Sequence, residues 1–477
     1  MERPLNVGIM SEQTIRFVLN GNYLFNGKQY TGEYTTTAEQ GQIRFDGQLY
    51  DELHFQGGEN FVLRGVTIGV NFHWQRREDQ TFKGNLKIIA GHDRVLNKEA
   101  GLIAINELDV EDYLASVISS EMAATSSMEL LKAHAVISRS WLLHPIVSRI
   151  RSSESSTSLG RLTSSESSES LNSLQTLHIR WYERDAHSLF DVCADDHCQR
   201  YQGITKQTSE NVQKAIDETR GMVLRSTDNG EVCDARFYKS CGGATELFEN
   251  CWADEHYPYL EAVRDSANDT LPDLTQESEA EQWIRTAPPA FCNTSDRRIL
   301  QQVLNNYDQE TQDFYRWKVE YTQEELSETV RERSGIDFGL IEELIPIKRG
   351  PSARIYELKI VGTKRTMTVG KELEIRKWLS HSHLYSSAFV VDKNEGRCTE
   401  GGKTAALKEE GQVTTFTLTG AGWGHGVGLC QIGAAVMADK GYDYRQILQH
   451  YFPNTRLERL GSLRSSKSLG GLQSLRS

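Results

Sequence analysis

The chain has 477 residues, which excludes a single small disulfide-stapled domain. Its 53 Lys and Arg residues face 66 Asp and Glu residues, a net charge of −13 that argues against sequence-independent nucleic-acid binding, since such binding needs a basic face. No stretch approaches the roughly 20 apolar residues of a membrane helix, and no signal peptide is recognisable at the N-terminus. Eight cysteines are too dilute for a disulfide scaffold, but most of them lie between residues 193 and 251.

The first 95 residues are predicted to form a β-rich N-terminal domain. Short runs of alternating apolar and polar residues, such as IRFVLNG and GQIRFDGQLY, are separated by Gly and Asn, a pattern typical of antiparallel strands. From about residue 106 the pattern becomes helical. The Ser-x-x-Glu spacing of Ser126 and Glu129 is that of a capping box and predicts a second helix that begins at Ser126. The expected fold class is therefore mixed α+β.

Residues 96–460 are predicted to form one mixed α/β catalytic-type domain that is interrupted twice. Residues 148–176 are so rich in serine that they cannot bury a core, which predicts a mobile loop. Residues 269–335 are predicted to be a polar, mostly helical insert. Strands are expected near residues 355–361, 388–391 and 413–420, followed by a glycine-rich loop and a helix. Residues 461–477 are predicted to be a disordered tail.

Glu121 is a candidate catalytic carboxylate. Because Tyr113, Val117 and Glu121 are spaced by four, a helix would place Glu121 on an apolar face. Apolar surroundings raise the pKa of a carboxylate, which suits general acid catalysis of glycoside cleavage. Alternatively, Glu121 lies past the helix end and faces water. Lys132 and Arg139, close to two turns apart, could hold an anionic substrate group or could form the solvated edge of a core helix.

The segment AHSLFDVCADDHCQRY contains the candidate metal ligands His187, Cys193, His197 and Cys198. Two imidazoles and two thiolates suit tetrahedral zinc, although the spacing is not that of a zinc finger. Two alternatives compete with zinc. One is a disulfide between Cys193 and Cys198, and the other is a pair of reduced surface thiols.

Two further segments contain residues that could carry chemistry. The glycine-rich run GAGWGHGVGLCQIGA lacks the phosphate-loop and dinucleotide patterns. Its His425 could transfer a proton, and Cys430, near the start of a helix, could be a thiolate nucleophile. Equally, both could be structural residues of a tight turn. The run RFYKSCGGATELFENCW combines aromatic, hydroxyl and carboxylate side chains, which suit either sugar rings or ordinary core packing.

Three motifs together resemble the stage II sporulation protein D and amidase enhancer family, also called SpoIID/LytB. They are ELDVEDYLASVISSEM with KAHAVISRSW, then RFYKSCGGATELFENCW, then GAGWGHGVGLCQIGA, and the resemblance covers roughly residues 101–457. It implies a peptidoglycan-acting protein of the bacterial cell envelope whose catalytic members are lytic transglycosylases that prefer peptide-stripped glycan strands. Glu121 matches the family's catalytic glutamate, which protonates the bond between N-acetylmuramic acid (MurNAc) and N-acetylglucosamine (GlcNAc) and then helps to close a 1,6-anhydro ring.

The same resemblance implies structural zinc on the His–Cys set and a groove between the Glu121 segment and the glycine-rich loop. The expected substrate-binding residues are Lys132, Arg139, Tyr238, Ser240, Thr245, Glu246, Trp423, His425 and Gln431. The expected partners are glycan strands and a wall amidase. Ser is usual in the family at the position of Cys430, which argues against a required thiol, and Gln is usual at the position of His134.

Two rival functions follow from the same residues. One is a non-catalytic wall-binding protein that enhances an N-acetylmuramoyl-L-alanine amidase. The other is a cysteine hydrolase that uses Cys430 and His425.

Overall fold

The computed structural model describes residues 4–69, 75–93, 96–123, 125–155, 176–182, 187–195, 197–205, 209–268, 270–303, 313–397 and 412–460. The predicted tail, residues 461–477, lies outside the described residues, as does most of the predicted serine-rich loop. No helix within the described part of the chain is long and apolar enough to cross a membrane.

The strands of the first half of the chain are β1 (Leu5–Glu12), β2 (Thr14–Phe25), β3 (Lys28–Glu39), β4 (Gln42–Phe45), β5 (Gln48–Tyr50), β6 (Glu52–Gly57), β7 (Asn60–Ile68), β8 (Arg76–Phe82), β9 (Asn85–Asp93), β10 (Asn97–Leu108), β11 (Leu177–Ile179), β12 (Val192–Cys193), β13 (Met222–Ser226) and β14 (Phe237–Tyr238). The helices there are α1 (Val110–Glu121), α2 (Met128–Ser155) and α3 (Glu210–Glu218).

A short 3₁₀ helix, Phe248–Asn250, precedes the second half. Its helices are α4 (Glu277–Thr286), α5 (Arg297–Val303), α6 (Gln323–Ser334), α7 (Glu372–Trp378), α8 (Gln431–Asp439) and α9 (Tyr444–Tyr451). Its strands are β15 (Arg316–Thr322), β16 (Ile341–Arg349), β17 (Ile355–Gly362), β18 (Thr366–Gly370), β19 (Phe389–Arg397), β20 (Gln412–Ala421), β21 (Leu429–Cys430) and β22 (Thr455–Arg459). These helices and strands confirm the mixed α+β class.

The N-terminal strands form one large sheet, in the order β12-β1-β10-β9-β6-β2-β3-β4-β5, with β7 and β8 joined to it through β2. Alternation along the antiparallel strands turns every second side chain inward. Phe17, Phe25, Phe45 and Phe55 are buried and pack ring against ring, with Phe17 and Phe55 centroids 5.4 Å apart. This aromatic cluster is the core that the alternating runs predict.

The sheet continues past the predicted domain boundary at residue 95. β10 pairs antiparallel with both β9 and β1, so residues 97–108 belong to the sheet of the N-terminal strands. β12 pairs parallel with β1, with Cys193 opposite Gly8. A strand from the candidate metal segment therefore forms an edge of this sheet.

The two central helices differ in how well the sequence predicts their starts. Asp109 caps α1 by accepting a hydrogen bond from the backbone N–H of Glu111 at 2.8 Å. The predicted capping box at Ser126 is wrong, since α2 begins at Met128. The Ser126 hydroxyl instead donates to the carbonyl of Gln302 at 2.8 Å, and Glu129 accepts from the backbone N–H of Tyr444 at 2.8 Å.

The segment predicted as a helical insert, residues 269–335, contains α4, α5 and α6 together with one strand, β15. β15 pairs with β20, and β20 pairs with β19, so this strand is built into a three-stranded sheet. The expected strands near residues 355–361, 388–391 and 413–420 correspond to β17, β19 and β20. A four-stranded sheet, β11-β18-β17-β16, and the pairs β13–β22 and β14–β21 complete the described sheets.

Candidate functional site

Glu121 is the last residue of α1 and is half-buried. The helix ends there because the backbone of Met122 is extended. The Met122 N–H still donates to the carbonyl of Ile118 at 2.8 Å. The segment 122–127 between α1 and α2 is called here the Glu121 link. Glu121 therefore lies on the helix, as the spacing predicts, at the point where the chain leaves it.

The Glu121 link is fixed by one residue of α5, Gln302. The Gln302 carbonyl accepts from the backbone N–H of Ala123 at 3.0 Å and from the Ser126 hydroxyl at 2.8 Å. The Gln302 side-chain carbonyl accepts from the backbone N–H of Ser127 at 2.9 Å. Three hydrogen bonds to one residue hold the chain that leaves Glu121 in a defined path.

Two loops lie against each other near α5, one that follows β14 and one that joins β20 to β21. β14 and β21 pair in parallel, and the backbones of Ser240 in the first loop and Trp423 in the second exchange hydrogen bonds of 3.1 and 2.7 Å. Gly422 has φ of 76°, and a Cβ there would lie 2.8 Å from the carbonyl oxygen of Ser240. Only glycine permits this approach. Lys239, next to this contact, donates to the carbonyl of Val303, which is the residue after Gln302.

Arg354 ties the two loops together from beneath. Its buried guanidinium donates to the carbonyls of Gly424 at 3.0 Å and Cys241 at 3.2 Å, and to the Ser352 hydroxyl at 3.0 Å. Five fixed donors make arginine suited to such multiple carbonyl contacts. Sequence analysis did not select Arg354, since it lies outside all three motifs.

The predicted substrate-binding residues of the first loop are mostly enclosed. Tyr238, Ser240, Thr245 and Glu246 are all buried. The Thr245 hydroxyl donates to the carbonyl of Glu261 at 3.1 Å. Burial raises the pKa of Glu246, whose carboxylate accepts from the Asn250 amide at 2.8 Å and from the hydroxyl of Ser352. These contacts give Thr245 and Glu246 roles inside the loop framework.

Trp423 and His425, the two predicted site residues within the glycine-rich loop, make different kinds of contact. Trp423 is partly exposed and lies against Tyr385, which is also partly exposed, with ring centroids 4.2 Å apart. Nδ1 of His425 accepts a hydrogen bond from the backbone N–H of Val427 at 3.1 Å, and its Nε2 lies 3.1 Å from the carbonyl of Phe237. Burial lowers the pKa of His425 well below its usual value. Both nitrogens of the neutral ring therefore contact backbone groups, one within the turn and one at Phe237.

Gln431 is buried and contacts a histidine of α2. Its amide nitrogen lies 3.2 Å from Nε2 of His134, whose Nδ1 lies 3.2 Å from the Ser138 hydroxyl. Burial, together with the positive charge of Lys239, lowers the pKa of His134 to about 3. The pair joins α2 to the start of α8.

Lys132 and Arg139 are engaged by carboxylates of the fold. Lys132 is paired with Glu129 at 3.1 Å and with Glu218 at 2.7 Å. Arg139 is buried and makes a bidentate pair with Glu111, with N–O distances of 3.0 and 2.6 Å. Both cations therefore have carboxylate partners within the fold, and Arg139 is too buried to form the solvated edge of a helix.

The four predicted metal ligands are brought together. The ligand atoms of His187, Cys193, His197 and Cys198 all lie within 4.8 Å of one another. Cys198 Sγ is 3.5 Å from a ring nitrogen of each histidine, and Cys193 Sγ is 3.9 Å from His197 Nδ1. Tetrahedral zinc with bonds of about 2.0 to 2.3 Å has edges of about 3.6 Å between sulfur and nitrogen. The spacing of the donors therefore fits that ion.

Two more features of this cluster suit a metal. Asp93, which sequence analysis missed, lies 3.0 Å from Nδ1 of His187, so a carboxylate orients the ring and leaves Nε2 directed at Cys198. A hydrogen bond from the Cys193 thiol lowers the pKa of Cys198 well below its usual value, which favours the thiolate form. Both cysteines are free, so the predicted alternative of a disulfide is not present.

Comparison with known proteins identifies two matching regions. Residues 98–225 match the stage II sporulation protein family, SpoIID, and residues 246–428 match a domain of unknown function, DUF8618. The first region contains Glu121 and the metal cluster. The second contains the loop that joins β20 to β21 and all of the segment predicted as an insert.

Several curated proteins are similar to the chain. The amidase enhancer of Bacillus subtilis is 25% identical over 259 residues, which are 52% of this chain and 33% of that protein. Stage II sporulation protein D of Bacillus amyloliquefaciens is 22% identical over 362 residues, 76% of this chain and 78% of that protein. An uncharacterized protein of Brachyspira hyodysenteriae is 25% identical over 407 residues, 85% of this chain and 76% of that protein. The chain thus spans a third of the length of the amidase enhancer.

Proposed function

We propose, from the match of residues 98–225 to the stage II sporulation protein family, that this protein acts on bacterial peptidoglycan in the cell envelope. The names of its relatives, stage II sporulation protein D and amidase enhancer, support a role at the cell wall. The proposed reaction is lytic transglycosylation, in which the bond between MurNAc and GlcNAc of peptide-stripped glycan is cleaved and 1,6-anhydroMurNAc forms.

The observation that carries the proposal is the placement of Glu121. Its helix buries Tyr113, Val117 and Ile118, while Glu121 itself stays half-buried at the helix end. The following link is fixed by three hydrogen bonds to Gln302. A carboxyl group that is fixed by its backbone and still accessible can meet a glycosidic oxygen in a constant geometry.

In the proposed reaction Glu121 is first an acid and then a base. The protonated carboxyl gives its proton to the glycosidic oxygen as the bond from that oxygen to C1 of MurNAc breaks. The C6 hydroxyl of the same MurNAc then forms a bond to C1 and releases its proton to the Glu121 carboxylate. The proton count balances without water, and the glutamate returns to its starting state, so a second carboxylate is not needed.

The sugar rings are proposed to contact the partly exposed aromatic pair of Trp423 and Tyr385. A flat apolar face with a polar edge suits the apolar face of a sugar ring. The buried residues Tyr238, Ser240, Thr245 and Glu246 would then act by shaping the loops that present this pair. His425 and Gln431 are proposed to do the same for the turn before α8, and the predicted substrate roles of Lys132 and Arg139 stay predictions.

The His–Cys cluster is proposed to hold a structural zinc ion. His187, Cys193, His197 and Cys198 would supply all four ligands, so none of the tetrahedral positions would be open to a reacting water. The ion would fasten the segment 187–198 to β1 through β12. Its contribution is therefore to folding rather than to the chemistry at Glu121.

The test of the proposed reaction is Glu121→Gln, which keeps the shape of the side chain but cannot give up or take a proton. Purified protein would be incubated with peptide-stripped glycan strands, and the products would be separated and weighed by mass spectrometry. The wild-type protein should release 1,6-anhydroMurNAc ends, and Glu121→Gln should lower their formation by at least about 100-fold. Asp112→Asn, at the exposed start of the same helix, is the matched control and should retain activity.

The name of one relative, amidase enhancer, supports a second candidate function. A non-catalytic enhancer would release no anhydro product alone and would raise the rate of an added N-acetylmuramoyl-L-alanine amidase equally well with Glu121→Gln. Equal anhydro product from wild type and Glu121→Gln would reject the role of Glu121. Products one water heavier would identify a hydrolase instead.

A further inference from the structure

A second cluster of potential metal ligands lies beneath the two loops, apart from the His–Cys cluster. The side-chain donors of Cys241, Asp265, Cys292 and Cys430 all lie within 4.8 Å of one another, and all four residues are buried. Cys241 follows β14, Cys430 ends β21, and the other two lie between them in sequence. The four-residue set does not follow from the spacing in the sequence, and it is called here the Cys₃Asp cluster.

The backbone around the Cys₃Asp cluster directs N–H groups at sulfur. Cys430 Sγ accepts from the backbone N–H of Cys241 at 3.3 Å and from that of Gly433 at 3.4 Å. Cys241 Sγ accepts from the backbone N–H of Gly243 at 3.3 Å. Cys430 is also the N-cap of α8, so the positive end of the helix dipole faces its sulfur. N–H donors and a helix N-terminus stabilise a thiolate more than a thiol.

Asp265 is held in one orientation by neighbouring groups. Its Oδ1 accepts from the Tyr451 hydroxyl at 2.6 Å, and its Oδ2 accepts from the backbone N–H of Cys292 at 2.8 Å. A Cβ at Gly433 would lie 2.5 Å from Oδ1, so the α8 backbone closes directly over the carboxylate. Hydrogen bonds of this kind orient metal-binding carboxylates while each oxygen keeps a further lone pair.

The composition and spacing of the cluster indicate which metal ion it would bind. Cys241 Sγ and Cys292 Sγ are 3.4 Å apart, near the edge of about 3.8 Å for two sulfurs on tetrahedral zinc. Thiolates suit zinc and disfavour calcium and magnesium, which prefer oxygen ligands. Burying a carboxylate and thiolates without a cation is costly. A disulfide would use two of the sulfurs and leave the third thiol and the carboxylate unexplained.

We propose that Cys241, Asp265, Cys292 and Cys430 bind a second zinc ion as a closed structural site. Three thiols lose their protons to solvent as the ion binds, and the three thiolates and the carboxylate then fill its tetrahedral positions. The ion would connect the loop after β14, the chain at Asp265 and Cys292, and the start of α8. It would thereby hold the Ser240–Trp423 contact together with Arg354. This inference does not depend on the proposed transglycosylase reaction.

The test measures zinc per chain in full-length protein that is purified under reducing conditions with zinc supplied. The wild-type protein should contain about two zinc ions per chain when both four-ligand sites are filled. Cys198→Ser, which damages only the His–Cys cluster, should retain about one. Cys241→Ser with Cys292→Ser should also retain about one, and combining all three substitutions should remove both. Cys233→Ser, a buried free cysteine outside both clusters, is the matched control and should retain both.

X-ray absorption of the Cys198→Ser protein then examines the proposed site without disturbing its residues. Zinc at the Cys₃Asp cluster should show three sulfur neighbours at about 2.3 Å and one oxygen neighbour at about 2.0 to 2.2 Å. This measurement stands even if the double cysteine variant does not fold.

Two outcomes would overturn the proposal. One is a Cys198→Ser protein that contains no zinc although its circular dichroism matches that of the wild type. The other is a disulfide between two of the three cysteines in the zinc-supplied wild-type protein. If the wild type and Cys198→Ser each hold one zinc, the Cys₃Asp site stands and the His–Cys zinc proposal fails. Both zinc results are independent of whether Glu121→Gln loses glycan cleavage.

Discussion

Arg139 and Glu111 show how a side chain selected as a substrate contact can be required by the core. The guanidinium spans from α2 to the first turn of α1 and also donates to the carbonyl of Met222 at 3.0 Å. Glu111 additionally accepts from the backbone N–H of Gly221 at 3.2 Å. The pair therefore joins α1, α2 and the start of β13 in a place with little water.

Arg139→Met should lower the free energy of unfolding by about 3 kcal/mol, because it leaves a nearly buried carboxylate without its partner. Lys132→Met should cost about 1 kcal/mol or less, because its partner Glu218 is 42% exposed. Urea denaturation followed by circular dichroism measures both changes. Equal losses in the two variants would contradict the distinction between a buried and an exposed ion pair.

His134 should make the protein less stable in mild acid. Its pKa is lowered to about 3, below the usual value near 6.5, so the unfolded chain binds a proton in this range that the folded chain does not. The stability that depends on the neutral His134 ring is fully present above about pH 6.5. It is lost as the pH falls toward 3, and the free energy of unfolding then changes by up to about 1.4 kcal/mol per pH unit.

His134→Gln removes this titration and should flatten the loss of stability below about pH 6.5, measured by urea denaturation at several pH values. The control is His256→Gln. A hydrogen bond from the His256 ring to the carboxylate of Glu249 raises the pKa of His256, so the stability that this contact adds is full below about pH 6.5 and is lost at higher pH. A slope that is the same in wild type and His134→Gln would show that the buried imidazole is not the source.

Some site residues could be predicted from the sequence because their signal is local. The four candidate metal ligands His187, Cys193, His197 and Cys198 lie within one short segment, and helical spacing places Glu121 on α1. Arg354, Asp93 and the Cys₃Asp cluster carry no such signal. Each meets its partners only through strand pairing or loop contact between distant parts of the chain, which spacing along the sequence does not reveal.

At the scale of elements, alternation predicts strands better than capping motifs predict helix starts. Strands β2, β4 and β5 lie where the alternating runs IRFVLNG and GQIRFDGQLY place them, since alternation reports directly which side chains face a core. The Ser126 motif fails because tertiary hydrogen bonds take both of its side chains. A cap is a local preference of about 1 kcal/mol, which other contacts can outweigh.

Gln302→Ala tests whether the Glu121 link positions the proposed catalytic group. It removes the side-chain bond to Ser127 but keeps the backbone bonds to Ala123 and Ser126. We expect faster hydrogen exchange at the Ser127 amide and a lower turnover of glycan, with stability reduced by about 1 kcal/mol. Gln301→Ala, at the exposed neighbouring position, is the control. Unchanged exchange at Ser127 in Gln302→Ala would contradict this role.

At the scale of the whole molecule, elements from distant segments close each structural unit. β12 reaches back to the first strand of the chain, and β22 pairs with β13, with Glu458 opposite Val223. The division at residue 95 was predicted from a change in pattern, and patterns along a chain do not show where a strand will return. Domain limits are therefore less predictable here than the elements themselves.

The pairing of β22 with β13 also sets an order of events during synthesis. Contacts between segments far apart in sequence form late, because closing a long loop costs entropy before the contact stabilises it. β13 leaves the ribosome long before β22 is synthesised. Cys241 and Cys292 are likewise synthesised well before Cys430, with which they form the Cys₃Asp cluster. The nascent chain thus exposes an unpaired strand and free thiols until Cys430 and β22 are made, so interruption of synthesis before that point should produce fragments prone to aggregation and oxidation.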